Sequence, residues 1–325
     1  MVRRAFSFNG TQMTIVKATR KTIEQAAQLI KSGNIVAFPT ETVYGLGADA
    51  YNATAVAKIF EAKNRPTFNP LISHIADVDF LNDYVKMDER VPALAKRFWP
   101  GPLTMVLPRK QHNPALDLAC AGLPTISVRM PNHPVALALI KAADTPIVAP
   151  SANRSQSISP TTAQHVYTSL GNRVPMILDG GACHVGVEST IIDLTTKKIV
   201  LLRAGGIAME DIADFLNEEV MISGGNPNLP SSPGQILKHY APKYETRINV
   251  THPNDDEFMI GFGDINGHLN LSPSGNLAEA TTNLFAYMHL AEEQTKYTKI
   301  AIAPIPMKGL GRAINDRIKR ASYRD

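Results

Sequence analysis

The sequence contains few of the residues that mark several large protein classes. Only 2 of its 325 residues are cysteines, and Cys120 and Cys183 lack the paired spacing of zinc ligands. Aromatic residues make up 6% of the chain, and no run approaches the ~18 apolar residues that a membrane span needs. A disulfide-stapled secreted domain, a zinc protein and a membrane protein are therefore not expected.

Common nucleotide-binding and catalytic motifs are missing as well. The chain has no Walker loop, no GxGxxG fingerprint and no GxSxG nucleophile elbow. The absence of GxGxxG argues against a dinucleotide oxidoreductase. Any reaction must then depend on positioning by cations, hydroxyls and amides rather than on a protein nucleophile.

The composition is that of an ordinary globular protein. Hydrophobic residues make up 44% and charged residues 19%, and the length suits about two domains. The formal charge of +4 is mild, so it permits anionic substrates or transient tRNA contact without indicating a nucleic-acid binder. The first 13 residues include two arginines but no apolar run, so no secretory signal is expected. A cytoplasmic location fits best.

A basic stretch after a predicted helix organises the chain. Asn52 to Ala62 has apolar residues at helical spacing, and Pro66 prevents that helix from continuing. Lys63 and Arg65 should therefore lie on an irregular, exposed segment, KNRPTFNPLISH up to His74. An arginine fork beside a mobile lysine suits a polyphosphate. The alternative is a solvated helix end, where both residue types are common.

Other polar residues fall on loops at predicted strand ends. Thr42 follows a predicted strand over residues 35–38, and PSAN over residues 150–153 follows another. In open α/β sheets, ligands collect where strands end. Ordinary turn and cap chemistry is the alternative for these hydroxyls, including Ser159 before the next helix. Arg129, inside an apolar strand, needs an anionic ligand or a structural carboxylate such as Asp49 or Glu188.

Six motifs in order resemble those of the Sua5/YrdC family, the threonylcarbamoyl-adenylate synthases of tRNA modification. They are FPTETVYGLG at 38–47, KNRPTFNPLISH at 63–74, FWPGPLT at 98–104, SVRMP at 127–131, PSAN at 150–153 and GVEST at 186–190. The resemblance runs from about Thr14 to the C-terminus. It includes the second domain of the longer, Sua5-type members.

The resemblance implies a fold and a domain organisation. It predicts an α/β protein, with a YrdC-like catalytic domain built on an open twisted sheet at residues 14–217. A linker or lid at 218–243 and a small Rossmann-like α/β domain at 244–325 would follow. The linker is rich in Gly, Pro and Ser, yet it contains Ile236, Leu237 and Tyr240, which prefer to be covered. It is therefore expected to fold over the nucleotide, with Tyr240 reaching the ATP; a plain spacer is the alternative.

The resemblance also implies a reaction. L-threonine, bicarbonate or CO2, and ATP would give L-threonylcarbamoyladenylate and pyrophosphate, with Mg²⁺ held through the ATP phosphates rather than by protein ligands. The product would serve N6-threonylcarbamoylation of the adenosine 3′ of the anticodon in ANN-decoding tRNAs, through a downstream transferase complex. Implied catalytic residues are Lys63, Arg65, Ser151 and Asn153. The ATP site would add Asn69, Thr125, Ser159, Arg203 and Tyr240. The threonine site would comprise Thr42, His74, Arg129, Ala149 and Ser189.

Some positions depart from the family pattern, and two other functions remain open. Gln156 stands where a glycine is frequent, Ala204 where a proline is frequent, and QIL at 235–237 replaces the usual linker residues. One rival is a non-catalytic RNA-binding module that uses a basic last helix with Arg312, Arg317 and Lys319. It lacks the interleaved aromatic residues on which bases stack. The other is a carbamoyl-phosphate-using transferase, whose additional domains are missing here.

Overall fold

The structure is a computed structural model that describes residues 7–8, 11–12, 14–110, 114–223, 232 and 240–323. Most of the predicted linker, residues 224–231 and 233–239, lies outside this description, together with its Ile236 and Leu237. None of the helices within the described residues is long and apolar enough to cross a membrane.

Strands and helices alternate along most of the described chain. The strands are β1 (Ser7–Phe8), β2 (Thr11–Gln12), β3 (Thr14–Lys17), β4 (Val36–Phe38), β5 (Gly45–Asp49), β6 (Ile72–His74), β7 (Leu103–Pro108), β8 (Thr125–Arg129), β9 (Ile147–Val148), β10 (Met176–Asp179), β11 (Thr190–Asp193), β12 (Ile199–Arg203), β13 (Val220–Ile222), β14 (Glu245–Ile248), β15 (Glu257–Gly261), β16 (Leu269–Asn270) and β17 (Lys299–Ile302). The helices are α1 (Arg20–Lys31), α2 (Ala53–Lys63), α3 (Leu81–Tyr84), α4 (Val91–Phe98), α5 (Pro114–Asp117), α6 (Pro134–Ala143), α7 (Ala163–Leu170), α8 (Met209–Leu216), α9 (Leu277–Glu293) and α10 (Gly311–Ser322).

Eleven of the described strands form one large mixed sheet. Its order is β13-β12-β11-β7-β8-β6-β9-β5-β4-β10-β3. Parallel and antiparallel neighbours alternate irregularly, since β6 runs parallel to β8 but antiparallel to β9. Gly47 on β5 allows close packing here, because a Cβ atom there would lie 2.7 Å from both Ile147 and Phe38. The predicted open α/β sheet is confirmed.

Hydroxyl side chains cap two helices of the large-sheet part. Thr19 caps the first helix, and Thr22, its third residue, completes the capping box. Likewise, the side chain of Thr162 caps α7, whereas Ser159 does not. In both cases another hydroxyl three residues away fits the same local pattern, so the sequence alone could not choose between them.

The C-terminal part forms a separate four-stranded sheet. Its order is β14-β17-β15-β16, and all pairs are parallel. Along the chain, α9 lies between β16 and β17, and α10 follows β17. A parallel sheet with two helices agrees with the small α/β domain that the resemblance implied.

The apolar core of this C-terminal unit also takes in residues from the large-sheet part of the chain. Val43, Ile158 and Val187 are buried in the same cluster as Phe285, Ile314 and other side chains of the C-terminal unit. The two parts therefore share a continuous packed interface.

Candidate active site

A pocket of about 550 Å³ lies over one face of the large sheet. Its floor contains Ile72 and His74 of β6, together with Ala149 and Ser151 just after β9. Side chains two residues apart on a strand share a face, and His74 is directly opposite Arg129 on β8. The pocket thus lies where strands end, as expected: His74 and Arg129 are the last residues of β6 and β8, and Ala149 and Ser151 follow β9.

Arg129 forms a buried ion pair with Glu41. Its Nη2 atom lies 2.7 Å from Glu41 Oε1, and the two side chains are 4% and 1% exposed. Burial raises the pKa of Glu41, but the charge and hydrogen bond of Arg129 more than offset this, so the net pKa is lowered. The expected alternatives were wrong: Asp49 accepts from Thr145, and Glu188 is paired with Arg317.

A chain of hydroxyl groups extends from Arg129. Arg129 Nη1 donates to Thr42 Oγ1 at 2.9 Å, and Thr42 Oγ1 lies 2.8 Å from Thr40 Oγ1. Thr40 donates its single hydroxyl proton to the carbonyl of Val43, at 2.6 Å. Thr42 must therefore be the donor to Thr40, so toward the pocket its oxygen can only accept a hydrogen bond.

His74 is a neutral imidazole at the pocket floor. Burial and the nearby Arg129 lower the pKa of His74 to about 3. Its Nδ1 atom lies 3.1 Å from the carbonyl oxygen of Ile72, which can only accept, so Nδ1 carries the proton. The edge of the ring contacts Phe38, with the ring centroids 6.2 Å apart. Nε2 is then left as an acceptor.

Ser189 and Arg203 are joined directly. Arg203 donates to the carbonyl of Ser189 at 2.9 Å and to its hydroxyl at 3.1 Å. The same hydroxyl lies 2.7 Å from the hydroxyl of Thr104. Burial lowers the pKa of Arg203 to about 10, so it remains a cation at neutral pH. A residue expected at the threonine thus touches one expected at the nucleotide.

Lys63 and Arg65 are buried, not exposed as the sequence suggested. They are 1% and 9% accessible. Asn64 takes a left-handed conformation that turns the chain after α2, and the amide of Ser155 donates to the carbonyl of Lys63, so the 150s loop covers this segment. Burial lowers the pKa of Lys63 well below its ordinary value, and that of Arg65 to about 10.

The Lys63 ammonium holds the loop that contains Ser151 and Asn153. Its Nζ donates to the main-chain carbonyls of both residues. Ser151 lines the pocket, whereas the Asn153 amide donates to the carbonyls of Arg154 and Ser157 behind it. Gln156 has a φ of 73°, which explains why a glycine would be favoured there.

Ser159, Glu188 and Arg317 form a buried chain at the side of the pocket. Ser159 Oγ donates to Glu188 Oε1 at 2.6 Å, and Arg317 Nε donates to Glu188 Oε2 at 2.8 Å. Glu188 itself lines the pocket. Arg317 is fully buried, so the basic outer face proposed for the last helix is wrong at its central residue.

Tyr240 closes the pocket at the side of the C-terminal unit. It is 1% exposed and packs between Phe285, with the ring centroids 5.3 Å apart, and the guanidinium of Arg317, 5.2 Å from its ring. Burial raises the pKa of Tyr240 to about 12, so it is protonated. It is the one described residue of the former linker that lines the pocket.

The pocket brings together most, but not all, of the expected residues. Those lining it are Thr42, Arg65, His74, Arg129, Ala149, Ser151, Ser189, Arg203 and Tyr240. Lys63, Asn69, Asn153 and Ser159 are buried without lining it, and Thr125 is at the other end of β8 from Arg129. Within the described part of the chain, no cluster of three acidic, His or Cys side chains could hold a metal ion.

Sequence reasoning missed Glu41, Thr104, Glu188 and Arg317 as functional components. Glu41 was not singled out, and Glu188 was considered only as an alternative partner of Arg129. A signal was present for Glu188, because an acidic residue inside an apolar segment must have a buried partner. The partner, 129 positions later, could not be identified without the fold.

Comparisons with known proteins identify the family of the chain. Residues 28–205 match the Sua5/YciO/YrdC family model described as "Telomere recombination". Residues 207–322 match the model described as "Threonylcarbamoyl-AMP synthase, C-terminal domain".

Several curated proteins and solved structures are similar to the chain. The threonylcarbamoyl-AMP synthase of Pyrococcus abyssi is 41% identical, over 95% of this chain and 98% of its own length. That of Bacillus subtilis is 49% identical, over 73% of this chain and 69% of its own. A crystal structure of P. abyssi Sua5 complexed with L-threonine superposes with a TM-score of 0.86 at 39% identity, covering 95% of this chain and 96% of that one.

Proposed function

The chain belongs to the Sua5/YrdC family of threonylcarbamoyl-AMP synthases, and from this we propose that it makes L-threonylcarbamoyladenylate from L-threonine, bicarbonate or CO2, and ATP. Pyrophosphate is the second product. One observation carries the proposal: Arg129, Arg65 and Arg203 line a single pocket together with Thr42, His74, Ser151 and Ser189.

Threonine would bind at the Arg129 side of the pocket. The guanidinium of Arg129 provides a partner for the α-carboxylate, and Glu41 fixes its orientation. Thr42 can only accept toward the pocket, so it suits the amine of the substrate. The Nε2 atom of His74 and the hydroxyl of Ser189 remain for the threonine side chain.

ATP would bind on the side of Arg65 and Arg203. Both guanidinium groups are buried and charged, so they can neutralise the charge that builds on the α-phosphate and on the leaving pyrophosphate. Lys63 would contribute by holding the loop of Ser151. Asn69, Thr125, Asn153 and Ser159 would complete the nucleotide site.

The reaction then has two bond-forming steps. The neutral amine of threonine attacks CO2 and loses a proton, which gives the N-carboxylate. An oxygen of this carbamate attacks the α-phosphorus of ATP, and the bond to the β-phosphate oxygen breaks with departure of pyrophosphate. Neither step needs a protein nucleophile, so the protein contributes orientation and stabilisation of charge.

Mg²⁺ would accompany ATP without protein ligands of its own. The carboxylates at the pocket, Glu41 and Glu188, are committed to Arg129 and Arg317. A phosphate-bound and water-bound ion is compatible with such a site. Its contribution would be to neutralise charge on the departing pyrophosphate.

Tyr240 would close the site on the side of the C-terminal unit. Its burial against Phe285 and Arg317 supports this. Closing the site would protect a labile mixed anhydride from water. The adenylate would then pass to a downstream transferase complex that modifies tRNA, with at most transient tRNA contact by this protein.

Pyrophosphate release tests the reaction. ATP turnover is measured with threonine and bicarbonate, each omitted in turn, and carbamoyl phosphate is offered as a separate arm. Release that requires both threonine and bicarbonate, with formation of an adenylate detected by mass spectrometry, is expected. Release indifferent to threonine, or turnover only with carbamoyl phosphate, would contradict the proposal.

A further inference from the structure

Three loops of the pocket are anchored in the core of the C-terminal unit. Each contributes one apolar side chain to that core, namely Val43, Ile158 or Val187. Their neighbours in sequence, Thr42, Ser159 and Glu188, are the polar residues at or next to the pocket. Packing of the C-terminal unit therefore fixes the backbone from which these polar groups project.

The loop that contains Glu188 packs directly against α9. Gly186 adopts a φ of 78°, and a Cβ atom there would lie 2.4 Å from the carbonyl oxygen of Thr282. The hydroxyl of Thr282 also donates to the carbonyl of His184, at 2.7 Å. Two contacts with one residue of α9 thus hold this loop on the C-terminal unit.

Arg317 on α10 then holds the Glu188 carboxylate. It is fully buried, and its Nε donates to Oε2 of Glu188, whose Oε1 accepts from Ser159. Its Nη1 donates to Asp316. Glu188 is thereby supplied with one positive partner from the C-terminal unit and one hydroxyl from the catalytic unit.

His289 on α9 holds the main-chain carbonyl of Ser159. Its Nε2 lies 3.1 Å from the Ser159 carbonyl, and its ring stacks on His165 with a centroid separation of 3.9 Å. A carbonyl only accepts, so Nε2 is the protonated nitrogen. The hydroxyl and the carbonyl of Ser159 are therefore both held, directly or through Glu188, by residues of α9 and α10.

We propose that Arg317 and His289 are positioning residues through which the C-terminal unit sets Ser159 and Glu188 for the nucleotide. This rests on the proposed function, in which Ser159 belongs to the ATP site. Arg317 also prevents Glu188 from presenting an uncompensated negative charge to a triphosphate. Loss of Arg317 should therefore weaken ATP binding much more than threonine binding.

The test compares steady-state kinetics of Arg317→Met with those of Lys319→Met. Lys319 is exposed on the same helix, so its substitution removes an equal charge without touching the pocket. Arg317→Met should raise KM for ATP roughly 10- to 100-fold, with KM for threonine changed less than about threefold. Lys319→Met should match the wild type, and Arg317→Lys should recover part of the loss.

A double variant distinguishes positioning from a general loss of structure. If an unpaired Glu188 repels the phosphates, Arg317→Met with Glu188→Gln should have a lower KM for ATP than Arg317→Met alone. Equal defects in both, or an unchanged KM for ATP in Arg317→Met, would overturn the role of Arg317. Thermal unfolding of each variant shows which of them are folded.

His289→Phe supplies an independent measurement, because it keeps the ring stacked on His165 but cannot donate to Ser159. It should raise KM for ATP several-fold, and a wild-type value would overturn the role of His289. A wild-type protein that releases no pyrophosphate would contradict the proposed function itself. If the wild type is active and the variants have its KM for ATP, only this inference is contradicted.

Discussion

The guanidinium of Arg129 lies 2.7 Å from the carboxylate of Glu41, and neither side chain has appreciable contact with solvent. A buried arginine with one fixed carboxylate partner can turn its remaining N–H groups in only a few directions. One of these N–H groups donates to Thr42. The ion pair therefore fixes the orientation of Arg129 and Thr42 at the side of the pocket proposed for threonine.

Glu41→Gln should therefore impair threonine binding selectively. The amide keeps the volume but removes the charge that orients Arg129, so KM for threonine should rise about 10-fold or more, while KM for ATP changes little. Glu61→Gln, at an exposed position on α2, is the matched control. An equal rise of both KM values would show that Glu41 maintains the whole pocket instead.

Arg65→Met and Lys63→Met should differ in their effect on folding. Both should lower kcat/KM by roughly 30- to 1000-fold, the cost of about 2–4 kcal/mol of lost stabilisation at a transferring phosphate. Lys63→Met should also lower the melting temperature, because Lys63 holds the carbonyls of the Ser151 loop. Lys58→Met, on the same helix but away from the pocket, should retain full turnover.

The choice of amino acid should depend on the substrate hydroxyl. Serine lacks one methyl group, so it should lose roughly 1–3 kcal/mol in kcat/KM, whereas valine should lose more because polar groups such as Ser189 would lack a partner. Competition among threonine, serine and valine in the pyrophosphate assay measures this. Equal turnover of threonine and valine would refute a pocket that recognises the hydroxyl.

His74 should make the fold sensitive to acid. Its pKa is about 3 in the folded protein and close to 6.5 when unfolded, so the unfolded chain binds more protons between these values. The stability is fully present above pH 6.5 and is lost as the pH falls, by about 2 kcal/mol between pH 7 and pH 5 for this one group. His74→Gln should reduce the difference in unfolding free energy between pH 7 and pH 5 by that amount. Urea unfolding at the two pH values measures it, and an unchanged difference would contradict the assignment.

Tyr240→Ala should uncouple ATP consumption from product formation. The opening left beside Phe285 would admit water to the adenylate, so pyrophosphate release should exceed the amount of threonylcarbamoyladenylate recovered. Tyr240→Phe, which keeps the packing, should stay close to the wild-type ratio. If the alanine variant releases no more pyrophosphate than the threonylcarbamoyladenylate recovered, Tyr240 does not protect the adenylate.

The sequence predicted local structure well wherever the spacing of apolar residues or a helix cap determines it. The helix at Ala53–Lys63 begins after its Asn52 cap and ends where predicted, because the apolar spacing and Pro66 both act within a few residues. The six motifs predicted which polar residues would meet, and the pocket contains most of them.

Burial and long-range partners could not be predicted in the same way. Lys63 is at a helix end, which is usually solvated, and only the fold of the 150s loop covers it. Arg317 and Glu188 are separated by 129 positions. A chain cut after Asn217 would leave Val43, Ile158 and Val187 without their cover.

The shared core has a consequence for the synthesis of the protein. Val187 is translated 131 residues before Ile318, which packs in the same cluster. At roughly 5–20 residues per second, the ribosome needs roughly 7 to 26 s to make the intervening chain. During that time the loops that surround the pocket have been made but their apolar residues have nothing to pack against. The nascent protein therefore passes through an interval in which its catalytic part is vulnerable to aggregation and to chaperone capture.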